Sequence, residues 1–270
     1  MRLDASLGSL LWPNARRRSL AWIAQRSVSH SILHWSIRAR RRDSSPECAS
    51  ATPRDAPVLA TMRRGGRPHG VLLNRVEKAM MNNPVRAALQ RHLEARLLAN
   101  LGGTARGKRC LEVGCGRGRG IDIIFDEFGA AEVDAFDLDA DMVELARAHL
   151  ARRGRKARLW VGSVTEIDAP NASYDAVFDF GIVHHVPAWR DALTEIHRVL
   201  KPGGRFYCEE VLDRFILHPL WRRVLEHPLE DRFDQQGFES ALRDAGFLLR
   251  RGVGLFQSFA WFIADKPAVD

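Results

Sequence analysis

Short apolar runs alternate with longer segments of helical period through the second half of the chain, and each run is stopped by glycine, proline, asparagine or an acid. Arg109–Val113 reads as the first strand and leads into a glycine-rich turn, with a helix from about Gly120. Val133–Phe136, ended by Asp137, is the second strand, and the helix after it runs to about Arg152. Arg158–Val161 is a third strand, Tyr174–Phe180 a fourth and Arg205–Val211 a fifth. A helix from Trp189 through Leu200 joins the last two and stops at Lys201-Pro202-Gly203-Gly204, where proline and glycine end helices. A late helix, Phe238–Ala245, precedes a closing pair of strands, Phe247–Phe256 and Phe259–Asp265. Alternating strands and helices predict an α/β fold, a doubly wound and mostly parallel sheet with helices on both faces. Ligands in such folds bind at the carboxyl ends of the strands.

Upstream, Asn83 followed by Pro84 is an N-cap with proline at the first helical position. Val85, Leu89, Leu93 and Leu97 then recur every four residues, so the Val71–Leu101 segment is expected to be a helical cap packing one apolar stripe on the sheet. The chain thus divides into an extension (residues 1–70), a helical cap (71–106) and an α/β domain (107–270) with an insertion at 213–230.

The turn after the first strand carries the most chemistry. Gly114, Gly116 and Gly118 are spaced by two, with Cys115 between the first pair and Glu112 two residues before the first glycine. Glycine lets a ligand lie directly on backbone, and the helix that follows points unpaired N–H groups at the same place. The dinucleotide spacing G-x-G-x-x-G fails in both registers, because Arg119 and Ile121 stand where its last glycine belongs. An acid beside the turn suits a ligand bearing an ammonium group and repels a pyrophosphate.

With Asp137 at the end of the second strand, and with "YDAVF…VHHV…LTEIHRVLKPGGR" across the fourth and fifth, the chain resembles the class I S-adenosylmethionine-dependent methyltransferases, in particular their type 11 branch. The resemblance runs from about Gly107 to Val211 and less specifically to Lys266. It implies a Rossmann-like sheet of seven strands with the last antiparallel. It also implies S-adenosyl-L-methionine as cofactor and S-adenosyl-L-homocysteine as product. Glu112 would orient the methionine end, the Gly114–Gly118 turn would cradle the ligand, and Asp137, followed by Leu138, would accept the ribose hydroxyls. Ser163 and Val164 would border the adenine; many relatives carry Asp at the position of Ser163. Asp179, His184, His185, Glu209 and Glu210 follow strand ends near the methyl group and are the candidate bases, Asp179 also being a cofactor-side candidate. Glu209 and Glu210 alternate across their strand, so at most one faces the site. The predicted activity is methyl transfer to O or C of a small organic acceptor.

Charge separates the extension from the rest. The first 70 residues hold 13 Arg, no Lys and 4 acids, a net of +9 within a chain total of +8, so the remainder is near neutral. A near-neutral domain argues against a nucleic-acid partner. Four readings fit the extension: an unstructured tail, translation starting at Met62, an amphipathic segment (Leu10–Ile37, with Trp12, Trp22 and Trp35) lying on an anionic membrane, or an organelle transit peptide. No apolar run reaches the ~20 residues of a membrane span. Cys48, Cys110, Cys115 and Cys208 show no metal-binding spacing and read as fillers in a reducing compartment, the cytoplasm; no metal site is expected. The insertion, with Phe215, Ile216, Leu217, Leu220, Trp221, Val224 and Leu225, reads either as core cover or as a greasy wall. The second reading points to a lipophilic acceptor such as a quinone, polyketide or lipid. A non-catalytic cofactor-binding module, an NAD-dependent oxidoreductase and a protein or nucleic-acid methyltransferase are the competing readings.

Overall fold

A computed structural model describes residues 83–221 and 227–268. The basic extension, the start of the cap with Met80, Met81 and Asn82, and residues 222–226 of the insertion lie outside the described residues. Helices α1 (Pro84–Leu89) and α2 (Ala95–Gly102) are joined by a π-helical stretch, Gln90–Glu94. The remaining order is β1 (Arg109–Val113), α3 (Arg119–Asp126), β2 (Glu132–Asp137), α4 (Ala140–Arg152), β3 (Arg158–Val161), β4 (Tyr174–Phe180), a 3-10 turn (Val183–His185) and α5 (Trp189–Val199). After these come β5 (Leu200–Val211), α6 (Asp213–Ile216), α7 (Gln235–Asp244), β6 (Leu248–Leu255) and β7 (Phe259–Asp265).

The seven strands lie in the order β3-β2-β1-β4-β5-β7-β6. β1 pairs in parallel with β2 and β4, β2 with β3, and β4 with β5; β7 runs antiparallel to both β5 and β6. The predicted Rossmann-like architecture, with its last strand antiparallel, is therefore the observed one. Strand order reverses between β1 and β4, the switch point where open α/β sheets bind ligands, and the glycine turn follows β1.

Alternation along the strands sends side chains into two cores. Leu111, Val113, Val177, Phe206 and Cys208 pack with Trp189, Leu193 and Ile196 of α5 and with Phe238 and Leu242 of α7. Cys110, Ala135, Phe178 and Tyr207 pack on the opposite face with Leu98 of α2 and with Ile121 and Ile124 of α3. Burying side chains of this size contributes about 1.5–3 kcal/mol each, so both helical layers are held firmly on the sheet.

Three expectations need correction. The expected stripe breaks at Leu93, which is 43% exposed; Leu97 packs on the core, and α2 buries Ala95, Leu98 and Gly102. The π-helical stretch between the two helices has more residues per turn, so the apolar phase drifts across it. Lys201–Gly204 is not a turn between elements but a bulge inside β5, because Leu200 pairs with Tyr174 while Arg205 already pairs with Ala176. The late helix begins at Gln235, three residues before Phe238, because Asp234 caps it by accepting from Gly237 N at 2.7 Å.

Candidate functional site

At the end of β1 the chain turns through Gly114, Gly116 and Gly118 with φ of +70°, +49° and +80°. That left-handed backbone is open to glycine at little cost. The turn is laced to β2 by Cys115 N donating to Phe136 O at 2.9 Å and by Gly116 N donating to Asp137 Oδ2 at 2.8 Å. Asp137 also accepts from Asp139 N at 2.9 Å. A side chain at Gly116 would meet nothing within 4 Å, so the middle of the turn is open backbone. Burial pushes the Cys115 thiol up, which makes it an inert filler rather than a nucleophile.

Glu112 is 2% exposed, under the first turn of α3. Gly120 is the only residue type that fits there, because a Cβ would land on the Glu112 carboxylate and 2.8 Å from the Phe180 ring. Burial, reinforced by Asp137, Asp122 and Asp179, holds the Glu112 carboxyl well above the usual carboxylate range, against one backbone bond from Ile121. Its Oε2 is buried with no hydrogen-bond partner. An unsatisfied buried acceptor among acids is costly unless a donor arrives, and a cationic ligand supplies one.

The ends of β4 and β5 are closed by comparison. Asp179 is fully buried and accepts from Ile182 N at 2.9 Å and from Cys208 Sγ at 3.4 Å. Glu210, also fully buried, accepts from Val183 N (2.8 Å), His184 N (3.3 Å), Val211 N (3.2 Å) and His184 Nδ1 (2.7 Å). Burial raises Glu210 to about 7 despite these donors, and raises Asp179 well above its ordinary value with Glu210 adding to the shift. Glu209 points to the opposite face, where Arg86 of α1 donates to it at 2.9 Å and also pairs with Glu94. That pairing ties the cap helices to β5.

His184, His185 and His227 form a stack with ring centroids 4.1, 4.6 and 5.3 Å apart. Burial lowers His184 and His227 to about 3 and His185 well below its ordinary value, and Arg232 lowers all three further. The rings are neutral. Arg232 reaches them from just before α7, donating to the His184 carbonyl and, through Nε, to Glu230 O at 2.8 Å.

A family profile described as "Methyltransferase domain" matches residues 110–204, from β1 into the bulge of β5. A fatty-acid O-methyltransferase of Mycolicibacterium smegmatis is 35% identical over 127 residues, covering 46% of this chain and 44% of that protein. A demethylmenaquinone methyltransferase of Lactiplantibacillus plantarum is 30% identical over 148 residues, covering 53% and 62%. The aligned region therefore spans about half the length of these curated relatives. Among solved structures, the [4+2]-cyclase SpnF superposes with a TM-score of 0.57 at 19% identity, covering 70% of this chain and 84% of that one; at this identity the likeness is one of fold. Residues 110–204 thus form a methyltransferase domain of the class I S-adenosylmethionine-dependent kind.

On this methyltransferase fold the expected residues fall into two groups. Glu112, Gly114, Cys115, Gly116, Gly118 and Asp137 converge at the switch point, with Leu138 half-buried beside them. Ser163 is occupied locally, its hydroxyl 2.8 Å from Thr165 Oγ1 and accepting from Thr165 N at 3.2 Å, and Val164 is buried next to it. His184 and His185 come together with Glu210 and Asp179, whereas Glu209 is turned away from them. Sequence reasoning missed His227 and Arg232. His227 lies near the end of the insertion and Arg232 just after it, in irregular chain where no periodicity or spacing marks them. Among the described residues, the three histidine rings place their donor atoms within 4.8 Å of one another, as do Asp179, Cys208 and Glu210.

Proposed function

We propose that this chain transfers a methyl group from S-adenosylmethionine to an oxygen or carbon of a small, lipophilic organic acceptor. The observation that carries the reading is Glu112 Oε2, buried and without a partner beside an open glycine cradle and Asp137. The bound cofactor supplies a methyl group already activated on a sulfonium. The chain's part is to hold it: Glu112 takes the ammonium end, the Gly114–Gly118 backbone lies under the ligand, and Asp137 accepts the ribose hydroxyls. Val164 borders the adenine, with Ser163 contributing backbone rather than its engaged hydroxyl. Holding donor and acceptor in line supplies as much as about 7–11 kcal/mol of barrier lowering, so the chemistry demands little else.

A lipophilic acceptor is supported by the names of the two relatives, which act on a fatty acid and a demethylmenaquinone. It is also supported by the insertion, where Leu217, Leu220 and Leu229 are 40–49% exposed and Phe215 stacks on Trp221. The fold's occurrence in a cyclase keeps a second reading in play, a module that binds the cofactor without turning it over. Titration with S-adenosylhomocysteine, with NADH as control, tests the cofactor half. Transfer of an isotopically labelled methyl group to an acceptor panel separates enzyme from module.

A further inference from the structure

We infer that the acceptor is a carboxylic acid on an apolar tail, methylated on its carboxylate oxygen and held through that carboxylate by Arg232. The inference rests on the methyltransferase reading and names its substrate class. Arg232 is built into place. The preceding residue, Asp231, sits at φ +49°, its carbonyl accepts from Trp189 Nε1 at 2.9 Å, and its side chain pairs with Arg190. The following residue, Phe233, is buried and accepts through its carbonyl from Asp213 N at 3.0 Å, which pins the segment to the start of the insertion. Two of the guanidinium nitrogens donate to backbone carbonyls, while the third, one of the terminal pair, is buried with no partner. An orphaned charged donor is the counterpart of the orphaned acceptor on Glu112, and a carboxylate satisfies it with a charge-assisted bond.

The surroundings decide between kinds of ligand. A phenol or enol would need a base, but burial lowers all three rings of the stack, His184 to about 3, and the His184 Nδ1 is committed to Glu210. Such a ring takes a phenol proton only far uphill. A divalent cation could draw the three rings together, yet the guanidinium acts on every one of them and repels a double charge twice as strongly as it attracts a carboxylate. A carboxylate arrives already ionised. One of its oxygen lone pairs forms the new C–O bond as the S–CH3 bond breaks, the bonding pair leaves on sulfur, and sulfonium and carboxylate become a neutral thioether and a neutral ester. No proton moves, and opposite charges cancel, which a dry site favours. The exposed leucines of the insertion lie on the segment that starts and ends beside Arg232 and suit the tail.

The test is calorimetry on the full chain saturated with S-adenosylhomocysteine, titrated with decanoate and with decanol. Decanoate is expected to bind on the order of tenfold or more tightly than decanol, and Arg232→Gln to erase that difference while S-adenosylhomocysteine affinity stays unchanged. Arg232→Lys, which keeps the charge, should restore part of it. The ratio measured on the unsubstituted protein carries the test if Arg232→Gln fails to fold. Supplying S-adenosylmethionine instead should release methyl decanoate. Equal binding of acid and alcohol, or no binding of any acid from hexanoate to hexadecanoate by the saturated protein, overturns the inference alone. Failure to bind S-adenosylhomocysteine overturns the methyltransferase reading with it.

Discussion

Glu112 at the end of β1 and Glu210 at the end of β5 are both buried glutamates with raised pKa values, yet they are used in opposite ways. Glu210 accepts three backbone N–H groups and the His184 ring, so its oxygens are saturated by its own loop. Glu112 receives a single backbone bond and leaves one oxygen without a partner. A saturated buried carboxylate fixes the Gly181–His185 loop, whereas on the proposed function the unsaturated one is completed by the cofactor. The same contrast holds for charge: Asp137, Asp122 and Asp179 crowd Glu112, whereas the histidine stack beside Glu210 meets an orphaned guanidinium N–H group of Arg232.

The largest effect should come from Gly120→Ala, which drives a methyl group into the Glu112 carboxylate. Overpacking of this kind costs about 1–3 kcal/mol, and the displaced carboxylate should abolish S-adenosylhomocysteine binding; melting curves and calorimetry read the two losses. Glu210→Gln places an amide N–H among donors and should destabilise the fold by about 1–3 kcal/mol, with cofactor affinity little changed. Glu112→Gln should do the reverse, leaving the melting temperature level or higher while weakening S-adenosylhomocysteine by about 1.5–3 kcal/mol. Should both glutamates behave alike, the contrast fails. Asp137→Ala belongs on the Glu112 side of the comparison and should weaken binding by a similar amount.

The smallest effects are in pH dependence, and they have opposite signs. His227 is lowered from 6.5 to about 3, so its contribution to stability is present above pH 6.5 and lost as pH falls toward 3. Relative to the unsubstituted chain, His227→Asn should therefore gain on acidification, by at most about 1.4 kcal/mol per pH unit. Glu112 is raised above 4.5, so its contribution is present below pH 4.5 and lost as pH rises. Glu112→Gln should accordingly gain as pH rises. Thermal melts of the three proteins between pH 5 and 8 (about the range a His and a raised carboxylate span) check both slopes.

Much of this was legible in the sequence where local rules dominate. β1, β3, β4 and β7 have the predicted bounds because each is an apolar run stopped by a turn or an acid. Glu112, the glycines and Asp137 are fixed by spacing around a strand end, so their convergence follows from the fold. What was not legible depends on contacts between distant segments. Glu209 is claimed by Arg86, 123 residues away, through a cap helix whose phase a π-helical stretch had already shifted. His227 and Arg232 belong to no periodic element, and the histidine stack forms only when His227 meets the turn that follows β4. The N-cap of α7 carried a signal that was there to be read, Asp234 followed three residues later by Gly237, but the first apolar residue drew the boundary inward.

The central claim is that the switch point binds a cationic nucleoside through Glu112 and Asp137. Isothermal titration of the full chain with S-adenosylhomocysteine, in parallel with NADH and with the Asp137→Ala variant, tests it most directly. The account predicts micromolar binding of S-adenosylhomocysteine, none of NADH, and a tenfold or greater weakening in the variant, on the order of what a charge-assisted hydrogen bond contributes. Binding of NADH in its place, or S-adenosylhomocysteine affinity indifferent to Asp137, would contradict it.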